Sequence, residues 1–159
     1  MRQTMEAIAL LLLLTIWGIT SYALVGRHPL PAHIPTHFDG SGQPDAWGTP
    51  AMLWLLPIMA TVIYLLMTMV ALFPSSFHFP VRATAATRLQ IEAVALNMVA
   101  SLKAEVVFLF FWIQFQTIRF ARTGHAALQR WFLPAVLVVV FGTIVWHIAA
   151  MRRLGRTQV

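Results

Sequence analysis

Residues 7–26 read AIALLLLLTIWGITSYALVG, twenty consecutive positions without a charge. At ~1.5 Å of rise per residue, a helix of that length is ~30 Å long, the thickness of a bilayer's hydrocarbon core. The remainder of the chain has the same character. It is 59% hydrophobic and carries only 11 basic and 5 acidic side chains among 159 residues. A soluble domain has roughly 25% charged residues, which clothe its surface. This chain lacks that coat, so its excess apolar surface must face lipid. The expected fold class is all-α: an integral membrane helical bundle of four transmembrane helices with a proline-rich extracytoplasmic loop, as one domain over 1–159. A cleaved signal peptide is the competing explanation of the first block, with Arg2 as its charged end and Ser21-Tyr22-Ala23 as its cleavage site. The length of the apolar run and the blocks that follow argue for an anchor.

The four spans are expected at about 6–26, 50–73, 99–120 and 131–151. Thr49 and Pro50 read as the N-cap and first residue of the second, and no charge occurs from Ala51 to Phe77. Pro57 is expected to kink that helix near its first turns. The third block is interrupted by Glu92, Lys103 and Glu105. It reads as an interfacial helical stretch feeding a span near Val99, with Lys103 snorkelling to the headgroups. The fourth block ends on Trp131 and Trp146, as interfacial aromatics do.

The net charge is +6. Nucleic acid is not an expected partner, because the basic residues form no cluster on a polar face. They lie between apolar blocks, where they orient a membrane protein. With four spans, Arg2, Arg82, Arg88, Lys103, Arg152, Arg153 and Arg156 fall on one side, and Arg27, Arg119, Arg122 and Arg130 on the other. Seven against four places both termini in the cytoplasm. The chain has no cysteine, which removes disulfides and thiolate metal sites.

The loop over 29–50 holds the most distinctive chemistry. Pro29, Pro31 and Pro35 forbid a helix and favour extended backbone, and Asp39-Gly40-Ser41-Gly42 reads as a turn. His37, Phe38, Asp39, Pro44, Asp45 and Trp47 are the candidate ligand- or partner-binding residues. His33 and His37 are four apart, and in an extended strand such positions point to one side. With Asp39 and Asp45 they are the only metal-ligand set the loop offers, although the spacing is not a zinc signature. The alternative assigns these residues to a rigid cap, with Phe38 and Trp47 at the interface and His37 or Asp45 holding turn amides. Inside the membrane, Lys103, Glu105 and Gln114 are the polar candidates. An intramembrane ionisable group is a functional candidate by default. Gln114 and Gln116 can instead tie helices together. There is no nucleophile elbow, phosphate-binding loop or His-Glu-x-x-His, so no catalytic residue is assigned.

Leu30-Pro31, Ile34-Pro35-Thr36-His37-Phe38, Gly42-Gln43-Pro44-Asp45, Trp47-Gly48 and Leu56-Pro57 together resemble the bacterial membrane domain of unknown function numbered 1648. That domain is similar to the N-terminal part of SdpI-type immunity and signalling membrane proteins. The resemblance implies a multi-pass protein of the bacterial cytoplasmic membrane with a role in envelope sensing or toxin immunity. No enzymatic activity and no cofactor are expected. Expected partners are the lipid bilayer and an extracytoplasmic peptide or another membrane protein, with self-association into a homo-oligomer open. Two other functions compete: a membrane metal-binding protein or metalloenzyme using His33 and His37, and a small transporter subunit using Lys103, Glu105 and the glutamines.

Overall fold

A computed structural model describes residues 1–27, 29–81, 84–125 and 129–156. Arg82 of the charge count lies outside them. Four helices are long and apolar enough to cross a bilayer: α1 (Arg2–Val25), α2 (Leu55–Val70, preceded by a 3-10 turn over Pro50–Trp54), α3 (Arg88–Thr123) and α4 (Phe132–Arg156). Their apolar residues are largely exposed, with Leu11, Leu14, Leu66, Val138 and Phe141 each more than half accessible. Such a surface is stable only in lipid, and the protein is a multi-pass membrane protein.

The loop is not simply extended. It folds into an antiparallel hairpin of β1 (Ile34–Phe38) and β2 (Pro44–Gly48). A two-stranded ribbon is marginal alone, and here its base is built into the helices. Ile34 is buried with Ala23, Leu53 and Ile118.

α3 is one unbroken helix of 36 residues, ~54 Å long and well beyond a bilayer core. The stretch expected to lie apart as an interfacial segment is thus its N-terminal third. It is buried through Ile91 and Ala95 against Met151, Phe77 and Phe79. α3 ends at Gly124, whose φ of 67° is the left-handed cap that lets its N–H reach Phe120 O at 2.8 Å.

Three threonines join α1, α2 and α3 in pairs. Each hydroxyl donates to the carbonyl four residues back: Thr20 to Ile16, Thr61 to Pro57 and Thr68 to Tyr64, all at 2.7 Å. That leaves each oxygen free to accept from a neighbouring helix. Thr20 takes Gln114 Nε2 at 2.7 Å, Thr61 takes Trp17 Nε1 at 3.0 Å and Thr68 takes Lys103 Nζ at 2.8 Å. Each interface of the three-helix core therefore holds one such relay. Between the outer two relays lie the apolar contacts of Leu13, Ile16, Ala60 and Val107.

Pro57 explains a further link. It has no N–H to offer the carbonyl of Leu53, which would otherwise be orphaned in an apolar setting. Gln114 Nε2 fills that vacancy at 3.0 Å. Pro57 lies in the first turn of α2, which directly follows the 3-10 turn over Pro50–Trp54. Thr49 holds the cap position without a side-chain bond.

Lys103 does not snorkel. Its side chain is wholly buried, and Nζ donates to Glu6 Oε2 at 2.7 Å as well as to Thr68, 4.8 Å from the centre of the Tyr64 ring. The expectation failed because it treated Lys103 without a partner. A nearby carboxylate on α1 makes burial tolerable where an isolated ammonium would be driven to the headgroups.

Glu6→Gln leaves the ammonium buried without its counter-charge. It is expected to lower stability in detergent by about 3 kcal/mol. Replacing Glu6 and Lys103 together with Leu should recover most of that loss. Thermal unfolding followed by circular dichroism checks both, and an unchanged midpoint for Glu6→Gln contradicts the pairing.

Candidate functional site

The hairpin turn is organised by Asp39. Its Oδ1 accepts from Ser41 N at 2.8 Å, Ser41 Oγ at 2.7 Å and Gln43 N at 2.9 Å. The backbone closes alongside, with Asp39 N–H on Gln43 O and Gly42 N–H on Asp39 O. Gly42 takes φ of 84°, a conformation that costs glycine least. These donors, led by the Ser41 hydroxyl and the Gln43 amide, hold the Asp39 carboxyl below its ordinary pKa of 3.8.

His37 and Asp45 face each other across the strands, with Nδ1 and Oδ1 2.6 Å apart. Both are exposed, at 67% and 47% of their side-chain surface. An exposed pair of this kind adds little stability, which leaves both groups available to a visitor. Phe38 and Trp47 meet the edge of Phe120 on α3, with ring centres at 6.4 and 5.8 Å. Pro44 pairs with Phe38 at the mouth of the turn. Gly48 is required at the base, since a Cβ there would press on Met52 and lie 2.8 Å from Thr36 Cγ2.

The six loop candidates thus fall on one hairpin, but in different roles. Asp39 shapes the turn, Phe38 and Trp47 dock it on α3, and His37 with Asp45 stays open. The proposed metal-ligand set does not assemble. Among the described residues, no three histidine, aspartate or glutamate side chains converge. The strand register slips on both sides of His37, which breaks the alternation that placed His33 and His37 on one side. Asp39 Oδ1 is already committed to the turn.

Between the hairpin, the start of α2, the middle of α3 and the beginning of α4 lies a cleft of about 370 Å3. Thr36, His37, Asp39, Gln129 and Arg130 are among its polar groups, and Leu56, Leu109, Ile113 and Phe132 form much of its apolar wall. Sequence inspection missed Gln129 and Arg130. Their signal was weak: they precede a span as any basic border does, and only the packing sets them opposite His37 and Asp39. Of the intramembrane candidates, Gln114 and Lys103 are structural clamps. Glu105 reaches α4, where Thr143 Oγ1 donates to its Oε1 at 2.5 Å.

Residues 9–61 match the family described as a domain of unknown function, DUF1648. The match runs from Ala9 in α1 through the whole hairpin to Thr61 in α2, about a third of the chain. Within the matched segment lie Thr20, Leu53, and both ends of the Trp17–Thr61 bond, while Lys103 and Gln114 in α3 and Arg130 just before α4 lie beyond it. No curated protein and no solved structure matches the chain.

Because folding depresses the Asp39 pKa, the turn's electrostatic support is present above 3.8 and is lost only as pH falls through the lower folded value. Protection of the Ser41 and Gln43 amides, taken relative to their intrinsic exchange rates, should therefore persist on acidification to pH 3.8 and fall away below it. Asp39→Ala should quicken both amides at neutral pH. Equal exchange in the variant and the parent contradicts this role.

Proposed function

We propose that this is a non-enzymatic receptor-like membrane protein that recognises an extracytoplasmic peptide or envelope component at the hairpin cleft. The role is envelope sensing or toxin immunity in a bacterial cytoplasmic membrane, with both termini in the cytoplasm. The cleft carries this reading. Its apolar wall suits aliphatic or aromatic side chains, and its rim of His37, Asp39, Gln129 and Arg130 suits peptide groups and charges of both signs. A peptide leaving water for the interface needs both kinds of contact at one place.

The orientation rests on charge. Among the described residues, Arg2, Arg88, Arg152, Arg153 and Arg156 lie at the end opposite the hairpin, while Arg27, Arg119, Arg122 and Arg130 lie at the hairpin end. Lys103 is neutralised by Glu6 and adds little to either side.

Two experiments test this reading. The chain has no cysteine, so Ser41→Cys offers a single thiol. It should react with a membrane-impermeant maleimide in intact cells, whereas Gly155→Cys should react only after lysis; the reverse pattern refutes the orientation. His37→Ala, Asp45→Ala and Arg130→Ala should each reduce toxin resistance or the envelope-stress response at unchanged protein level. Parent-like phenotypes in all three refute recognition at the cleft.

A further inference from the structure

A second cavity, of about 300 Å3, opens between α3 and α4. Phe108, Trp112, Trp131, Phe132 and Val136 line it, and Glu105 is the one charged residue in its wall. Glu105 uses Oε1 to accept from Thr143, while Oε2 is buried with no hydrogen-bond partner among the described residues. A carboxylate has about four acceptor sites, and leaving one unmatched in a low-dielectric setting is costly. Glu6 shows how this fold satisfies the same group, by bringing it an ammonium. Lys103 is the chain's single lysine and is spent on Glu6, and among the described residues no basic side chain forms an ion pair with Glu105.

The remaining wall supplies what a cation without N–H donors needs. The rings of Phe108 and Trp112 stack at 6.3 Å and 24°, and those of Trp112 and Phe132 at 6.1 Å and 27°. Aromatic faces attract a positive charge, tryptophan most strongly. Hydrated metal ions do not fit this chemistry, because they require several oxygen ligands and the wall has one carboxylate. A zwitterionic lipid headgroup would bring its phosphate against the same negative charge. A compact cation with an apolar body satisfies the carboxylate, the rings and the apolar wall at once. We propose that the α3–α4 cavity binds a lipophilic organic monocation of the quaternary ammonium type, with Glu105 as its counter-ion and Trp112 as its main aromatic contact. This site adjoins the hairpin cleft at Phe132 but uses none of its polar groups, and it does not rest on the reading of that cleft.

The test is equilibrium binding to the full chain in a nonionic detergent. The probe is benzyltrimethylammonium, with neopentylbenzene as its uncharged isostere. Saturable one-site binding of the cation is expected. Glu105→Gln, which keeps the shape and the Thr143 contact, should weaken it by about tenfold or more, and Trp112→Leu by several-fold. Binding of the isostere should be insensitive to Glu105→Gln, and Glu92→Gln should leave cation binding unchanged. If Glu105→Gln misfolds, Trp112→Leu still decides the matter, since it alters the rings without altering charge. Absence of saturable cation binding, or equal loss for the cation and its isostere, overturns the proposal.

Discussion

A buried ammonium sets the terms for this fold. Lys103 is 0% exposed, in a chain whose surroundings are hydrocarbon. Its charge is sustainable only while Glu6 from α1 and Thr68 from α2 stay in contact. That requirement fixes the sliding and rotation of three helices together. Lipid gives little drive for apolar helices to associate, so hydrogen bonds at defined depths must set the register. The threonine relays meet this need without leaving a hydroxyl unsatisfied, because each donates within its own helix and accepts from the next.

The outer relay also carries the hairpin. Gln114 bonds to Thr20 and to the carbonyl that Pro57 leaves vacant on Leu53. Leu53 in turn packs with Ile34 at the foot of β1. The hairpin is thus fixed at its base by the same layer that joins α1, α3 and the start of α2. Its tip is held by Asp39 and its flank by Phe120. The exposed His37–Asp45 pair is left as the least constrained chemistry on a rigid support, which is what a recognition surface needs.

Much of this was legible in the sequence. Uncharged blocks of bilayer length gave the helices, because that signal depends only on composition and length. The turn at Asp39–Gly42 was readable from residue type, and the family match from the Ile34–Phe38 and Gly42–Asp45 motifs. The hairpin itself was hidden, since Pro35 and Pro44 argue against strands and the register slips around His37. Lys103 was misjudged because its partner is 97 positions away. Glu6 at the edge of the first apolar block and Lys103 within the third, opposite in sign, were the available clue. The cleft was illegible for the same reason: Arg130 and His37 come to line one cavity only through packing.

The most direct measurement is the contact at Lys103 in a bilayer. As the chain's single lysine, it gives one side-chain amine signal when Nζ is labelled with 15N. With glutamate carboxyl carbons labelled with 13C, solid-state nuclear magnetic resonance in liposomes reports whether a carboxylate lies against it. The amine signal should be dephased by a directly contacting carboxyl carbon, and that dephasing should vanish in Glu6→Gln. An amine signal with no carboxyl coupling, exchanging freely with water at the headgroups, would contradict the account.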